Sequence, residues 1–281
     1  MRRGGIRRPC ASLRPSAEGG FVLKLTTFAS GSGGNCLLVS QGNTHALVDA
    51  GISARRITQG LAALGLTPGD LDAVFITHEH SDHISGLNTL LKRWPVPLYA
   101  TAATGRRIAE RSAWAGQCLH TIEAGTGCSV GELTVTAFST LHDAADSVGY
   151  VLESGGRRAA VATDLGRVTD RVREAVAGAV FALVETNYEP DWLLDGPYPP
   201  YLKHRILGER GHLSNEAGAD LACFLAGEGA KTLLLGHLSR ENNTPARARA
   251  VVEAALEQRG LLDRCRVQVA PREQPGQSWE V

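Results

Sequence analysis

The chain has no excess charge of either sign: Lys plus Arg number 29, and so do Asp plus Glu. No global basic field is available to draw in nucleic acid, so such a substrate would have to be gripped by a local patch. The six cysteines (Cys10, Cys36, Cys118, Cys128, Cys223 and Cys265) are scattered, with no CxxC pair. That argues against a disulfide scaffold in a chain of this size and fits reduced thiols in the cytoplasm. No apolar run approaches the roughly 20 residues of a membrane helix, so no membrane partner is expected. Residues 1–20 carry arginines but no apolar stretch of the secretory kind. They read as a flexible tail ahead of one domain over 21–281. The glycine-rich turn Gly31–Gly34 is not followed by a Lys-Ser/Thr pair and a helix, which excludes a nucleotide P-loop.

What the chain does have is apolar content, 43% hydrophobic residues, enough for a sizeable core. From Phe21 onward, strand-like and helix-like segments alternate. Strands are expected at FVLKLTTFA, NCLLVS, His45–Gly51, Asp72–Thr77, Gly131–Thr140, SVGYVLES, Arg157–Asp164, Phe181–Asn187, Thr232–Leu238 and CRVQVA. Ser53 caps a helix with an apolar face of Ile57, Leu61 and Leu64, ended by Gly65. One further helix carries Ile84, Leu87, Leu90 and Leu91. Others lie around Arg171–Ala179, from Asn215 behind the cap Ser214, and from Thr244-Pro245. The class is α/β, with many hairpin-like pairs. Tyr188–Asn215 breaks the rhythm with three prolines in Gly196–Pro200, and a long irregular segment of that kind is usually functional.

The densest chemistry is Thr77-His78-Glu79-His80-Ser81-Asp82-His83, three histidines and an aspartate in six positions after a buried apolar strand. At a strand end His78 and His80 fall on one side, because side chains alternate with period two. Asp82 and His83 open the next helix and can turn back into the same cleft. Two imidazoles from one arm and an Asp–His pair from the other suit two adjacent borderline metals, zinc taking histidine nitrogen at about 2.0–2.1 Å. A polar surface turn is the bland alternative, and it leaves the spacing without a reason.

HxHxDH after a short strand resembles the signature of the metallo-β-lactamase superfamily, and the other motifs follow in that family's order: Asp49 in LVDAG, His142 in STLHDA, Asp164 in VATD and His237 in LLLGHLS. The resemblance implies an αββα sandwich of two mixed β-sheets flanked by helices. It implies two divalent metal ions, zinc or manganese: one on His78, His80 and His142, the other on Asp82, His83 and His237, with Asp164 bridging. Asp49 would orient a ligand histidine. Some lactam-cleaving relatives place a cysteine where Asp164 stands. The oxygen and nitrogen set kept here favours phosphodiester over amide hydrolysis, by a hydroxide held between cations about 3.5–4 Å apart.

SGSGGNCLLV, the ETN at Glu185–Asn187, the block Tyr198–Ala222 and LGHLSRENNTP resemble the YycJ/WalJ group of bacterial metallo-hydrolases. That resemblance implies a 5′-to-3′ exonuclease acting on DNA. Glu185 and His212 match in place the Glu–His proton-donating pair of the tRNA 3′-processing endonucleases of this fold. A histidine oriented by a carboxylate is a competent general acid near neutral pH; the alternative for His212 is support of the helix start at Ser214. Asp82 or Asp164 would orient the attacking hydroxide. Lys203, Arg205 and Arg210, with Tyr198 and Tyr201, would grip a phosphate backbone and stack bases, or else form a wet surface. Ser214 and Asn215 would hold a terminal phosphate. The same dinuclear site would also serve tRNA-type substrates, a cyclic phosphodiester or a glyoxalase-like thioester. A non-catalytic module with structural zinc fits poorly, because structural sites are closed and often cysteine-rich.

Overall fold

The computed structural model describes residues 22–273 and 278–281; the expected tail over 1–20 lies outside the described residues. Two seven-stranded sheets face each other. The first is built from β1 (Leu23–Ala29), β2 (Cys36–Gln41), β3 (Thr44–Val48), β4 (Ala73–Phe75), β5 (Leu98–Ala100) and β6 (Leu119–Thr121). The second holds β7 (Gly127–Val130), β8 (Leu133–Ser139), β9 (Val148–Ser154), β10 (Arg157–Ala162), β11 (Phe181–Glu185), β12 (Thr232–Gly236) and β13 (Arg266–Val269). A last strand, β14 (Ser278–Glu280), returns to the first sheet beside β1.

Period-two alternation sorts the apolar residues into three layers. In β11, Phe181 and Leu183 point between the sheets, where they meet Leu25, Phe75, Tyr150 and Trp279. Ala182 and Val184 point outward against the helices Asn215–Gly227 and Pro245–Gln258. On the far side Ile57, Leu61, Leu90 and Leu91 cover the first sheet. This is the αββα sandwich that the motifs imply.

Four local readings differ. Leu64 lies beyond the helix Ala54–Ala62 and is exposed rather than on its buried face. The single helix expected after His83 is two, Ser81–Ile84 and Leu87–Arg93, broken at Gly86. A β-carbon on Gly86 would stand 2.0 Å from the Ile52 carbonyl, so only glycine lets the chain pass. The stretch Tyr188–Asn215 contains two short helices, Pro190–Asp195 and Pro200–Leu207, each opened by a proline whose missing N–H costs nothing there. The three-residue strands β5 and β6 and the short β7 and β14 are too brief to show a period in sequence.

Parallel pairing of β3 with β4, and of β10, β11 and β12 with one another, points these strand ends the same way. The loops that follow meet at one rim of the sandwich.

Candidate metal centre

Three residues at that rim sit in the left-handed region without being glycine: Asp49 at φ 62°, Asp164 at φ 59° and His237 at φ 55°. Such backbone costs of order 1–3 kcal/mol per residue and persists where surrounding structure enforces it, usually at functional sites. Each follows a strand, after β3, β10 and β12 respectively. The turn of the chain swings each side chain back over the sheet edge.

The imidazoles converge on one another at the rim. His78 Nε2 lies 2.9 Å from His80 Nδ1, and His142 Nε2 lies 3.3 Å from the same atom. His83 Nε2 and His237 Nε2 each stand 3.4 Å from Asp82 Oδ2. Asp164 lies between the two groups: Oδ2 is 3.4 Å from His83 Nε2, while Oδ1 is 3.7 Å from His142 Nε2 and 3.6 Å from His237 Nε2. Asp164 Oδ2 is buried and has no hydrogen-bond partner among the described residues. A buried carboxylate oxygen left so is costly unless something positive meets it.

The outer nitrogens are held, which fixes ring orientation as metal-binding histidines require. His83 Nδ1–H donates to Asp49 at 2.8 Å, and Asp49 is itself fixed by the Thr77 N–H at 2.9 Å. His142 Nδ1–H donates to the Gly211 carbonyl at 2.9 Å. His237 Nδ1–H donates to Glu185 Oε1 at 2.9 Å.

Electrostatics divide the cluster. Burial holds His78 well below the ordinary histidine range, and the nearby rings of His83 and His142 push the same way; burial also lowers His142. Those rings stay neutral, with lone pairs available. Burial works against charge on His83 and His237 too, but carboxylates outweigh it there. Asp49, Asp164 and Asp82 hold His83 well above its usual range, and Asp164, Asp82 and Glu185 push His237 up to about 10. Burial of Asp82 is likewise overcome by His83 and His237, which keep it ionised far below the usual carboxylate range. This half of the cluster demands positive charge, from protons or from cations. The donor set fits two divalent ions: three imidazoles on one side, an Asp and two histidines on the other, and a carboxylate shared between them.

Glu185 is fully buried, and its Oε1 also accepts from His212 Nδ1–H at 2.8 Å. Its Oε2 takes the Leu165 and Leu213 N–H groups at 2.8 and 3.3 Å. Burial opposes ionisation of Glu185, yet His212 and His237 keep it charged well below its ordinary value. His212 lines a cleft of about 470 Å³ together with Asp82, Asp164 and His237.

The expected substrate patch divides. Arg205 and Tyr198 line the cleft, and the Arg205 guanidinium pairs with Asp143. Arg210 donates to the His142 carbonyl at 3.0 Å. Lys203 does not line the cleft; its ammonium donates to the Leu194 carbonyl. Ser214 and Asn215 do not line it either. The Ser214 hydroxyl caps its helix at the Ala217 N–H, while Asn215 is fully buried with its amide donating to Glu189 and Asn243. Both side chains are engaged in the fold, away from the cleft lining.

Sequence reasoning passed over three residues here. Asp143 Oδ1 is buried without a hydrogen-bond partner among the described residues, 3.3 Å from His142 Nε2. The Asn35 amide, carried in by the glycine-rich turn, lies 3.1 Å from His83 Nε2. Glu79 accepts from the Ala145 N–H at 2.9 Å and from Thr104 at 3.3 Å, fastening the loop of His142 to that of His78. Their positions next to the motifs were the only available hint.

A family model for the β-lactamase superfamily domain matches residues 44–238. The exodeoxyribonuclease WalJ of Streptococcus pneumoniae serotype 2 (strain D39 / NCTC 7466) is 37% identical over 249 residues, covering 87% of this chain and 91% of that protein. The exodeoxyribonuclease YycJ of Bacillus anthracis is 34% identical over 240 residues, covering 85% and 91%. Among solved structures, the metallo-β-lactamase fold protein YhfI from Bacillus subtilis superposes with a TM-score of 0.70 at 18% identity, over 92% of this chain and 100% of that one. The chain belongs to the metallo-β-lactamase superfamily, in the group that holds the WalJ and YycJ exodeoxyribonucleases.

Proposed function

We propose that this chain is a metal-dependent phosphodiesterase that removes nucleotides from DNA, working from the 5′ end in the cytoplasm. The observation that carries the chemistry is Asp164, whose unpartnered buried oxygen stands between two triads of ligand-capable side chains. The DNA substrate rests on the activity named for the WalJ and YycJ relatives.

In this reading His78, His80 and His142 would hold one ion and Asp82, His83 and His237 the other, with Asp164 available to both. Zinc and manganese both suit such a set. The two ions would supply an activated water and neutralise charge gathering on the phosphoryl oxygens. Asp82 and Asp164 orient the attacking water through their carboxylates. His212 presents its Nε2–H to the departing oxygen, while Glu185 holds the opposite nitrogen and stabilises the charged ring. Arg205 takes a phosphate of the strand and thereby serves as the local patch that the neutral chain requires.

The deciding assay incubates the protein with manganese or zinc and end-labelled single- and double-stranded DNA and RNA, bearing 5′-phosphate or 5′-hydroxyl. A ladder shortening from the 5′ end of DNA supports the proposal; thioester cleavage with inert nucleic acid overturns it. His80→Ala and Asp164→Ala are each expected to abolish hydrolysis of a phosphodiester reporter while circular dichroism stays native. Undiminished turnover in either variant refutes the ligand assignment.

A further inference from the structure

The cleft does not end at the metal centre. Ser81 and Arg111 line it on one side and also line a second hollow of about 230 Å³. That hollow lies between the paired helices Ser81–Ile84 and Leu87–Arg93 and the C-terminal end of the helix Ala102–Arg111. Its walls are mostly apolar, with Ile84, Leu87 and Ile108 contributing side chains. Asn88 and Ser112 supply polar groups: the Ser112 hydroxyl donates to Asn88 Oδ1 at 2.7 Å, which leaves the Asn88 N–H₂ group to donate elsewhere.

We propose that this hollow is a subsite for a single nucleobase of the substrate strand, splayed out beside the scissile phosphodiester, with Arg111 gripping the phosphate between base and metal centre. The inference rests on the nuclease reading and adds to it where one base of the strand goes. Size selects the occupant. At about 230 Å³ the hollow is smaller than the roughly 300–1,000 Å³ of sites that enclose a whole small molecule, and it suits one planar ring system. Charge selects it too. Arg111 stands where hollow and cleft join, with one guanidinium nitrogen donating to the Glu79 carbonyl at 3.2 Å. That bond steers the fork and leaves donors for an anion that is covalently continuous with whatever fills the hollow. A strand of alternating phosphates and rings satisfies both demands. Apolar faces against the ring and an amide donor for a base oxygen or ring nitrogen tolerate many sequences, as an exonuclease needs.

The test pairs a protein change with a substrate change. Asn88 is exposed on its helix, so Asn88→Trp plugs the hollow without entering the core, and Asn88→Ala removes only the amide. Oligodeoxynucleotides carrying one abasic residue at each successive position from the 5′ end are digested by the manganese-loaded wild type and both variants. In the wild type, one abasic position is expected to raise KM about tenfold, the scale of a lost base contact. Asn88→Trp should raise KM similarly on the intact oligonucleotide and add nothing when that abasic residue is present. Asn88→Ala should fall between them. Independent, multiplying effects, or no sensitive position at all, overturn the subsite while leaving the nuclease reading intact. A wild type that cuts no oligonucleotide overturns both.

Discussion

Glu185 Oε1 receives two N–H groups, from His237 and from His212. One of these rings belongs to the proposed ion-binding set, and the other opens on the cleft. Asp164 lies 3.8 Å from His212 Nδ1, so a ligand role for His212 is the rival to acid catalysis. The two separate by measurement. His212→Ala is expected to lower kcat by about 10²–10⁴-fold with metal content unchanged by mass spectrometry. Loss of metal in step with activity would make His212 a ligand. A second prediction concerns protons. His237 in the metal-free protein is pushed up to about 10 from 6.5, because its carboxylate partners outweigh burial. A folded value raised above the unfolded one gives stability that is complete below pH 6.5 and is lost as pH rises through 10. Chelator-treated protein should therefore lose Tm across that interval, and the stabilisation conferred by zinc should widen, since the cation replaces the proton. A gap that narrows with rising pH contradicts this.

Gly51 shows how an element serves the site. A β-carbon there would fall 1.6 Å from the Asp82 carbonyl, so the loop after β3 lies directly on the helix start that carries Asp82 and His83. Gly51→Ala is expected to destabilise the fold by about 3 kcal/mol, read by denaturant unfolding, and to weaken metal retention; an unchanged midpoint would show that the two loops are not in forced contact. Long strands such as β1, β9 and β11 were legible as short, largely apolar runs between turn-forming stretches, and the helix starts at Ser53, Ser214 and Thr244 from their caps. The break at Gly86 was not, because it answers to the Ile52 carbonyl, a contact no local pattern encodes. HxHxDH was legible because its donors are neighbours in sequence. Asp49, His142, Asp164 and His237 are scattered along the chain and stood out only beside the family's motifs. Asn35, Glu79 and Asp143 take their importance from contacts that exist only after folding.

The two sheets press their inner faces together around Phe75, Tyr150 and Phe181, and the Tyr150 hydroxyl donates to the Ile76 carbonyl at 2.7 Å, one step before the histidine loop. The sandwich thus acts as a rigid frame, and its rim gathers donors from loops that no single element could supply. Among the described residues no helix is long and apolar enough to cross a membrane. Five cysteines there are free thiols, which fits the proposed cytoplasmic setting. The proposed chemistry depends on two cations sharing Asp164. The most direct check is an anomalous difference map from zinc-soaked crystals. It should show two peaks about 3.5–4 Å apart, one against His78, His80 and His142 and one against Asp82, His83 and His237, with Asp164 touching both. One peak alone, or zinc bound elsewhere, would contradict it.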